Sequence, residues 1–189
     1  MNQLRSQIFS AVILWLLPFS YLQATDHTIS LSEALMTRGT IIMLRHAIAP
    51  GIGDPSNFQI DNCTTQRNLD QQGRSQATQI GEIFKLIGYP LGVVYSSPWC
   101  RCIETAELMN LGPVQSFSGL SSFFEGHVDR GETIRVLKAK IKALEIRKEY
   151  PTVMVTHQVV ISAMTGKTTA SGQAVLYDPK SNETRRIQF

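Results

Sequence analysis

Three short apolar runs, Thr40–Leu44, Leu91–Tyr95 and Thr152–Thr156, each stop at side chains that carry charge or titrate. They are too short for buried helices and continuous rather than alternating, which is the pattern of strands covered on both faces. Helical periodicity fills the intervals. Asp70 is placed to cap a helix reaching about Ile87, with Ala77, Ile80, Ile83, Phe84 and Ile87 on one face and Gly88 and Pro90 as its stop. A second helix runs from about Arg101 through Met109. A third spans Glu132 to Glu149 with Ile134, Leu137, Ile141 and Leu144 in register, and Gln158–Thr165 forms a short fourth. Ala174–Tyr177 reads as a last strand, Ala47–Pro55 as a Gly- and Pro-marked loop, and Ser116–Glu125 as a short strand running into loop. Strands alternating with helices predict an α/β fold, a three-layer sandwich with a mostly parallel central sheet and helices on both faces.

At 189 residues, 43% hydrophobic and 17% charged, the chain has enough apolar material for one domain and too little charge for disorder. A net charge of +3 does not support a dedicated nucleic-acid role. The first 24 residues read as a secretory signal rather than as fold. Arg5 precedes the apolar run Ile8–Leu17, Pro18 breaks it, and Ala24 offers a small residue for cleavage. The domain then occupies residues 25–189, and the protein is expected to be exported, to the periplasm if the source is a Gram-negative bacterium. In an oxidising compartment Cys63 is expected to pair with Cys100 or Cys102, leaving one thiol over. Cys100-x-Cys102 has no second pair to complete a zinc site, and only His27, His46, His127 and His157 could contribute imidazoles, so no metal is expected.

Ligands of parallel α/β sheets bind at the carboxyl ends of the strands. There this chain places Arg45-His46, the turn Ser96–Arg101, and His157. Two arginines and two histidines with no metal cluster suit phosphoryl transfer, where negative charge is spread over three oxygens and catalysis is positioning plus electrostatics. Guanidinium forks match phosphate oxygens and stay charged. A neutral imidazole can attack phosphorus, and a second, protonated imidazole can hold an oxygen. No Gly-x-Ser-x-Gly elbow is present, and Gly166-Lys167-Thr168 is no phosphate loop, because Ile161 stands where its first glycine belongs.

These residues carry a resemblance. Arg45-His46-Ala47 is similar to the Arg-His-Gly signature of the histidine phosphatase superfamily, with Ala for Gly. Arg67-Asn-Leu-Asp-Gln-Gln-Gly73-Arg-Ser-Gln76-Ala77 resembles that family's Leu-Thr-x-x-Gly-x-x-Gln-Ala, and Ser96-Ser-Pro-Trp-Cys-Arg101-Cys-Ile-Glu-Thr105-Ala106 its Ser-Ser-x-x-x-Arg-x-x-x-Thr-Ala. Val155-Thr156-His157 matches the late strand-then-His element. The resemblance spans roughly Thr40 to Tyr177. It implies a phosphoglycerate mutase-like fold, His46 as the phosphorylated nucleophile, and Arg45, Arg101 and His157 as the rest of the phosphate pocket, with no cofactor.

The leaving oxygen also needs an acid. In one branch of the family an Asp follows the second His, but here that position is Gln158. In the mutase-like branch it is a Glu after the second Arg. Glu125, beside Phe123 and Phe124, fits that slot, with Asp129 and Glu132 as rivals. Gly51-x-Gly53-Asp-Pro and Cys63-Thr-Thr-Gln-Arg67-Asn-Leu resemble the periplasmic members, among them phosphatases of lipopolysaccharide core heptose phosphate. The expected partner is therefore a phosphorylated small molecule or envelope glycolipid. Arg67 is a candidate for gripping its anion, while Arg74 reads as a solvated helix position. Lys138, Lys140, Lys142, Arg147 and Lys148 form a basic helix side that faces solvent or leans on an anionic membrane surface. Two other classes compete with a phosphomonoesterase: a non-catalytic phosphate- or envelope-binding protein that keeps the pocket, and a mutase-like phosphotransferase.

Overall fold

The computed structural model of the chain describes residues 28–88, 92–145 and 151–189. The apolar N-terminal run read as a signal, Pro90, Leu91, and the helix end with Arg147 and Lys148 lie outside them.

One seven-stranded sheet organises the described residues. Its strands are β1 (Thr28–Ser30), β2 (Ile41–Arg45), β3 (Val94–Ser96), β4 (Val114–Ser116), β5 (Thr152–Thr156), β6 (Ala174–Tyr177) and β7 (Thr184–Gln188), in the order β1-β7-β6-β2-β5-β3-β4. β6 runs antiparallel to β2 and β7, while the other four pairings are parallel. The helices are α1 (Leu31–Met36), α2 (Gln71–Leu86), α3 (Cys100–Met109), α4 (Arg130–Glu145) and α5 (Gln158–Thr165).

Alternation along β2 shows why the sheet is covered twice, since successive strand side chains point to opposite faces. Ile42 and Leu44 pack with residues of α1, α2 and α3, including Leu35, Phe84 and Met109. Ile41 and Met43 pack with α4 and α5 through Leu137, Ile141 and Ile161. The three-layer α/β sandwich is thus the observed fold. Asp70 caps α2 by accepting the Gly73 amide at 2.7 Å.

Four elements escape the sequence pattern: β1, α1, β4 and β7; the short strand expected from Ser116 onward instead ends there, as Val114–Ser116. β7 is Thr-Arg-Arg-Ile-Gln, in which only Ile187 is buried. β3 is shorter than the apolar run suggests, because Val93 is exposed. Among the described residues no helix is long and apolar enough to cross a membrane. The basic side of α4 is also less open than its spacing implies: the Lys140 ammonium sits 4.3 Å over the ring of Tyr95 and 5.7 Å from that of Phe117. Arg74 pairs with Glu104 across α2 and α3.

Candidate active site

The register of two strands starts the assembly. β2 and β5 pair so that Arg45 lies opposite Thr156, and the His46 amide donates to the Thr156 carbonyl at 3.0 Å. The next residue on each strand is therefore a histidine beside a histidine: the rings of His46 and His157 lie 5.5 Å apart at 67°. β3 flanks β5 on its other side, and the Ser97 amide donates to the Val155 carbonyl at 2.9 Å. This sets the Ser97 hydroxyl 2.8 Å from His157 Nε2. Arg101, in the first turn of α3, completes the group.

A cleft of about 270 Å³ opens at these strand ends, and Arg45, His46, Arg67, Arg101, Glu125 and His157 all line it. Every site residue expected from the sequence is brought together there.

His46 is 2% exposed and its Nδ1 stands 2.7 Å from the Ala47 carbonyl. A carbonyl only accepts, so Nδ1 carries the proton and the lone pair is left on Nε2. Burial, with smaller contributions from Arg101, Arg67 and Arg45, holds the imidazole down to about 3 against the raising pull of that carbonyl. His157 is likewise pushed well below the usual histidine range, by burial first and then by Arg101 and His46. Burial, with the Arg101 guanidinium next, thus favours the neutral form of the second imidazole.

The guanidiniums are fixed by different partners. Arg45 Nη1 donates to Gln158 Oε1 at 2.9 Å and to the Thr169 carbonyl at 2.7 Å. Arg101 gives both terminal nitrogens to Asp54, at 2.8 and 3.2 Å. Arg67 is largely spent on its own loop, donating through Nε to the Gly53 carbonyl at 2.8 Å and through Nη1 to that of Ala49. Among the described residues, Arg45 Nε and Arg101 Nε remain buried without a partner. Two unpaired, charge-assisted donors on side chains that line one cleft suit an oxyanion.

The motif residues hold the loop after β2 in place. Gly73 lies so close to it that a Cβ would stand 1.9 Å from the Ile48 carbonyl oxygen, so only glycine fits. Gln76 accepts the Ile48 amide at 3.0 Å and donates to the Ser171 carbonyl at 3.1 Å. Ala77 packs with Ala47 and Ala49. Thr105 accepts the Ala47 amide at 3.1 Å. The Gly-x-x-Gln-Ala and Arg-x-x-x-Thr spacings are thus clamps on the backbone that follows His46.

Asp54 is the functional residue the sequence reading passed over. Its carboxylate accepts from the Arg101 fork, the Arg67 amide at 2.9 Å and Trp99 Nε1 at 3.1 Å. Burial works to raise its pKa, but these donors, Arg101 foremost, hold it below the usual carboxylate range. The only sign in sequence was an acid inside the Gly-rich loop. Beside it, a disulfide joins Cys63 to Cys100 with Cα atoms 5.7 Å apart, tying the segment before Arg67 to the first residue of α3. Cys102 is the buried free thiol, which burial pushes up to about 12.

Glu125 reaches the cleft from the opposite loop. Its Oε2 accepts the Asp54 amide at 2.7 Å and lies 3.6 Å from His127 Nε2. The apolar setting expected from Phe123 and Phe124 is not formed around it, because Phe124 is 58% exposed. The rival acids are committed elsewhere: Asp129 accepts the Glu132 amide at the start of α4, and Glu132 pairs with Arg135. Asp54, Glu125 and His127 lie close enough to suggest a cation site. Four N–H groups already occupy the Asp54 oxygens, so the three side chains do not make an open ligand set.

The model of the histidine phosphatase superfamily (branch 1) matches residues 41–130. No curated protein sequence matches the chain. Among solved structures, a mycobacterial glucosyl-3-phosphoglycerate phosphatase superposes with a TM-score of 0.54 at 20% identity, covering 79% of this chain and 97% of its own. A phosphoserine phosphatase from Entamoeba histolytica, in complex with 3-phosphoglyceric acid, gives 0.51 at 15% identity, over 79% and 95%. The protein histidine phosphatase SixA, complexed with tungstate, gives 0.53 at 13% identity, over 78% and 93%. At these identities the structural likeness is one of fold.

Proposed function

We propose that the chain, whose residues 41–130 match the model of the histidine phosphatase superfamily (branch 1), is an exported phosphomonoesterase working through a phosphohistidine on His46. The observation that carries the reading is one cleft lined by His46, whose lone pair is left on Nε2, and by Arg45 and Arg101, each with a buried Nε that has no partner.

In the first step His46 Nε2 attacks phosphorus in line. The N–P bond forms as the ester P–O bond breaks, and the leaving oxygen takes its proton from Glu125. Arg45, Arg101 and Arg67 balance the charge on the equatorial oxygens. The arriving dianion offsets the three guanidiniums, which favours a proton on His157 and lets it join them. In the second step water attacks phosphorus, its proton passes to the Glu125 carboxylate, and the N–P electrons return to Nε2. The Ala47 carbonyl stabilises the positive charge that develops on the ring.

The substrate we propose is a phosphorylated envelope sugar, with lipopolysaccharide core heptose phosphate the specific candidate. The signal-like N-terminus and the resemblance of the Gly51–Pro55 and Cys63–Leu69 segments to periplasmic members support it. The Cys63–Cys100 bridge supports an oxidising compartment. The basic side of α4 is compatible with contact to an anionic membrane surface.

Turnover of 4-nitrophenyl phosphate in the presence of a chelator tests the activity, followed by a panel of phosphorylated envelope sugars. The expected result is hydrolysis with an acid-labile phosphoenzyme that His46→Ala removes, with turnover down on the order of 10⁴-fold or more. Phosphate binding without turnover would leave a binding protein instead.

A further inference from the structure

The cleft mouth carries two large apolar side chains held in water. Ile52 is 89% exposed and Phe124 is 58% exposed, and both line the cleft that holds His46 and the arginines. Single exposed apolar residues are ordinary on protein surfaces. These two are set apart by what lies between them.

Ile52 precedes Gly53, and Phe124 precedes Glu125. Gly53 adopts φ +71° and sits so close to Glu125 that a Cβ would stand 2.3 Å from its Oε1. The next amide, of Asp54, donates to Glu125 Oε2 at 2.7 Å. The two loops therefore meet at the Glu125 carboxylate, and the residue before the meeting point on each is apolar and lines the cleft. An acid that protonates the ester oxygen must be within hydrogen-bond reach of it. The carbon frame of the leaving group thus begins at Glu125 and leaves the cleft past Ile52 and Phe124.

We infer that Ile52 and Phe124 form a leaving-group subsite that selects phosphate esters of ring-bearing alcohols, whose apolar ring face they cover. The inference rests on the phosphomonoesterase reading for the position of the ester oxygen. Saturated sugar rings have such faces, and short polar alcohols do not. The phosphate is held by charge, so the apolar contacts act on the alcohol and set specificity.

Non-hydrolysable phosphonates test this without turnover. Cyclohexylmethylphosphonate mimics a ring ester and ethylphosphonate a small one, both with the same anionic head. Titration of the wild-type protein by calorimetry is expected to show the ring analogue binding about tenfold more tightly, roughly what covering 50–60 Å² of apolar surface supplies. In Ile52→Ser/Phe124→Ser that preference is expected to fall within about twofold. Both side chains are exposed, so the fold does not depend on them. Equal binding of the two phosphonates to the wild type, a preference that survives in the double variant, or binding of neither overturns the subsite. Methyl phosphate hydrolysis, measured in parallel, reports separately on the enzymatic reading. Ring preference without hydrolysis would remove the phosphatase and keep the subsite, and hydrolysis without ring preference would do the reverse.

Discussion

Asp54 grips Arg101 at two points, 2.8 and 3.2 Å, with both side chains at most 3% exposed. The fork that could have embraced phosphate is turned onto a carboxylate, which leaves Nε and the second N–H of Nη2 as the free donors. Asp54 is therefore a positioning residue, fixing which edge of Arg101 serves the cleft. Asp54→Asn keeps the shape and removes the charge. Losing one partner of a buried ion pair costs roughly 3–5 kcal/mol, so the melting temperature is expected to fall by roughly 10 °C. Inhibition by inorganic phosphate should change as well, since the freed fork can turn toward the anion. A purely structural role would lower stability and leave phosphate inhibition untouched.

Glu125→Gln retains an oxygen for the Asp54 amide and loses the transferable proton. Turnover of alkyl phosphates is expected to drop roughly a hundredfold or more, and that of aryl phosphates far less, because a phenolate leaves without protonation. Equal losses on both substrates would move the acid role to another residue.

The buried histidines predict a pH signature. Both are neutral in the fold, whereas in the unfolded chain they take up protons near pH 6.5. Below that value the unfolded state binds more protons, so the stability these groups contribute is full above pH 6.5. It drains away as pH falls, toward about 3 for His46. The expected slope is on the order of 1 kcal/mol per histidine per pH unit. Thermal unfolding between pH 7 and 5 isolates it, since the lowered carboxylate of Asp54 acts below that window. A flat melting temperature across the range would contradict the neutral assignment.

Removing the bridge with Cys63→Ser/Cys100→Ser should cost roughly 3–4 kcal/mol from the freed loop of 37 residues. The same loop carries Arg67, whose amide and carbonyl contact Asp54 and Arg101. KM for small phosphate esters is therefore expected to rise along with the loss of stability. A variant that melts earlier but keeps its KM would make the bridge a stabiliser alone.

Much of the fold was legible because the strands that build the site are apolar throughout. β5, α5 and β6 occupy Thr152–Thr156, Gln158–Thr165 and Ala174–Tyr177, the limits their composition suggests. β1 and β7 were illegible for the opposite reason: they sit at one edge of the sheet, parallel to each other, and bury little. In the site, the cationic and imidazole groups were readable because each follows a strand or opens a helix. Asp54 was not, since its role comes from a loop that folds back across 47 positions to Arg101, a pairing with no local pattern. The neutrality of His157 was also hidden, because it depends on burial and on neighbours that only the assembled sheet supplies.

Cys100 and Cys102 stand on either side of Arg101, and either could in principle have closed a ring with Cys63. Cys102, however, faces inward, fully buried with its sulfur 3.5 Å from His157 Nε2. Pulling it out to meet Cys63 would empty part of the hydrophobic interior and unseat the imidazole above it. The interior thus acts as proofreader of the covalent chemistry: a wrongly oxidised molecule cannot also be a well-packed one.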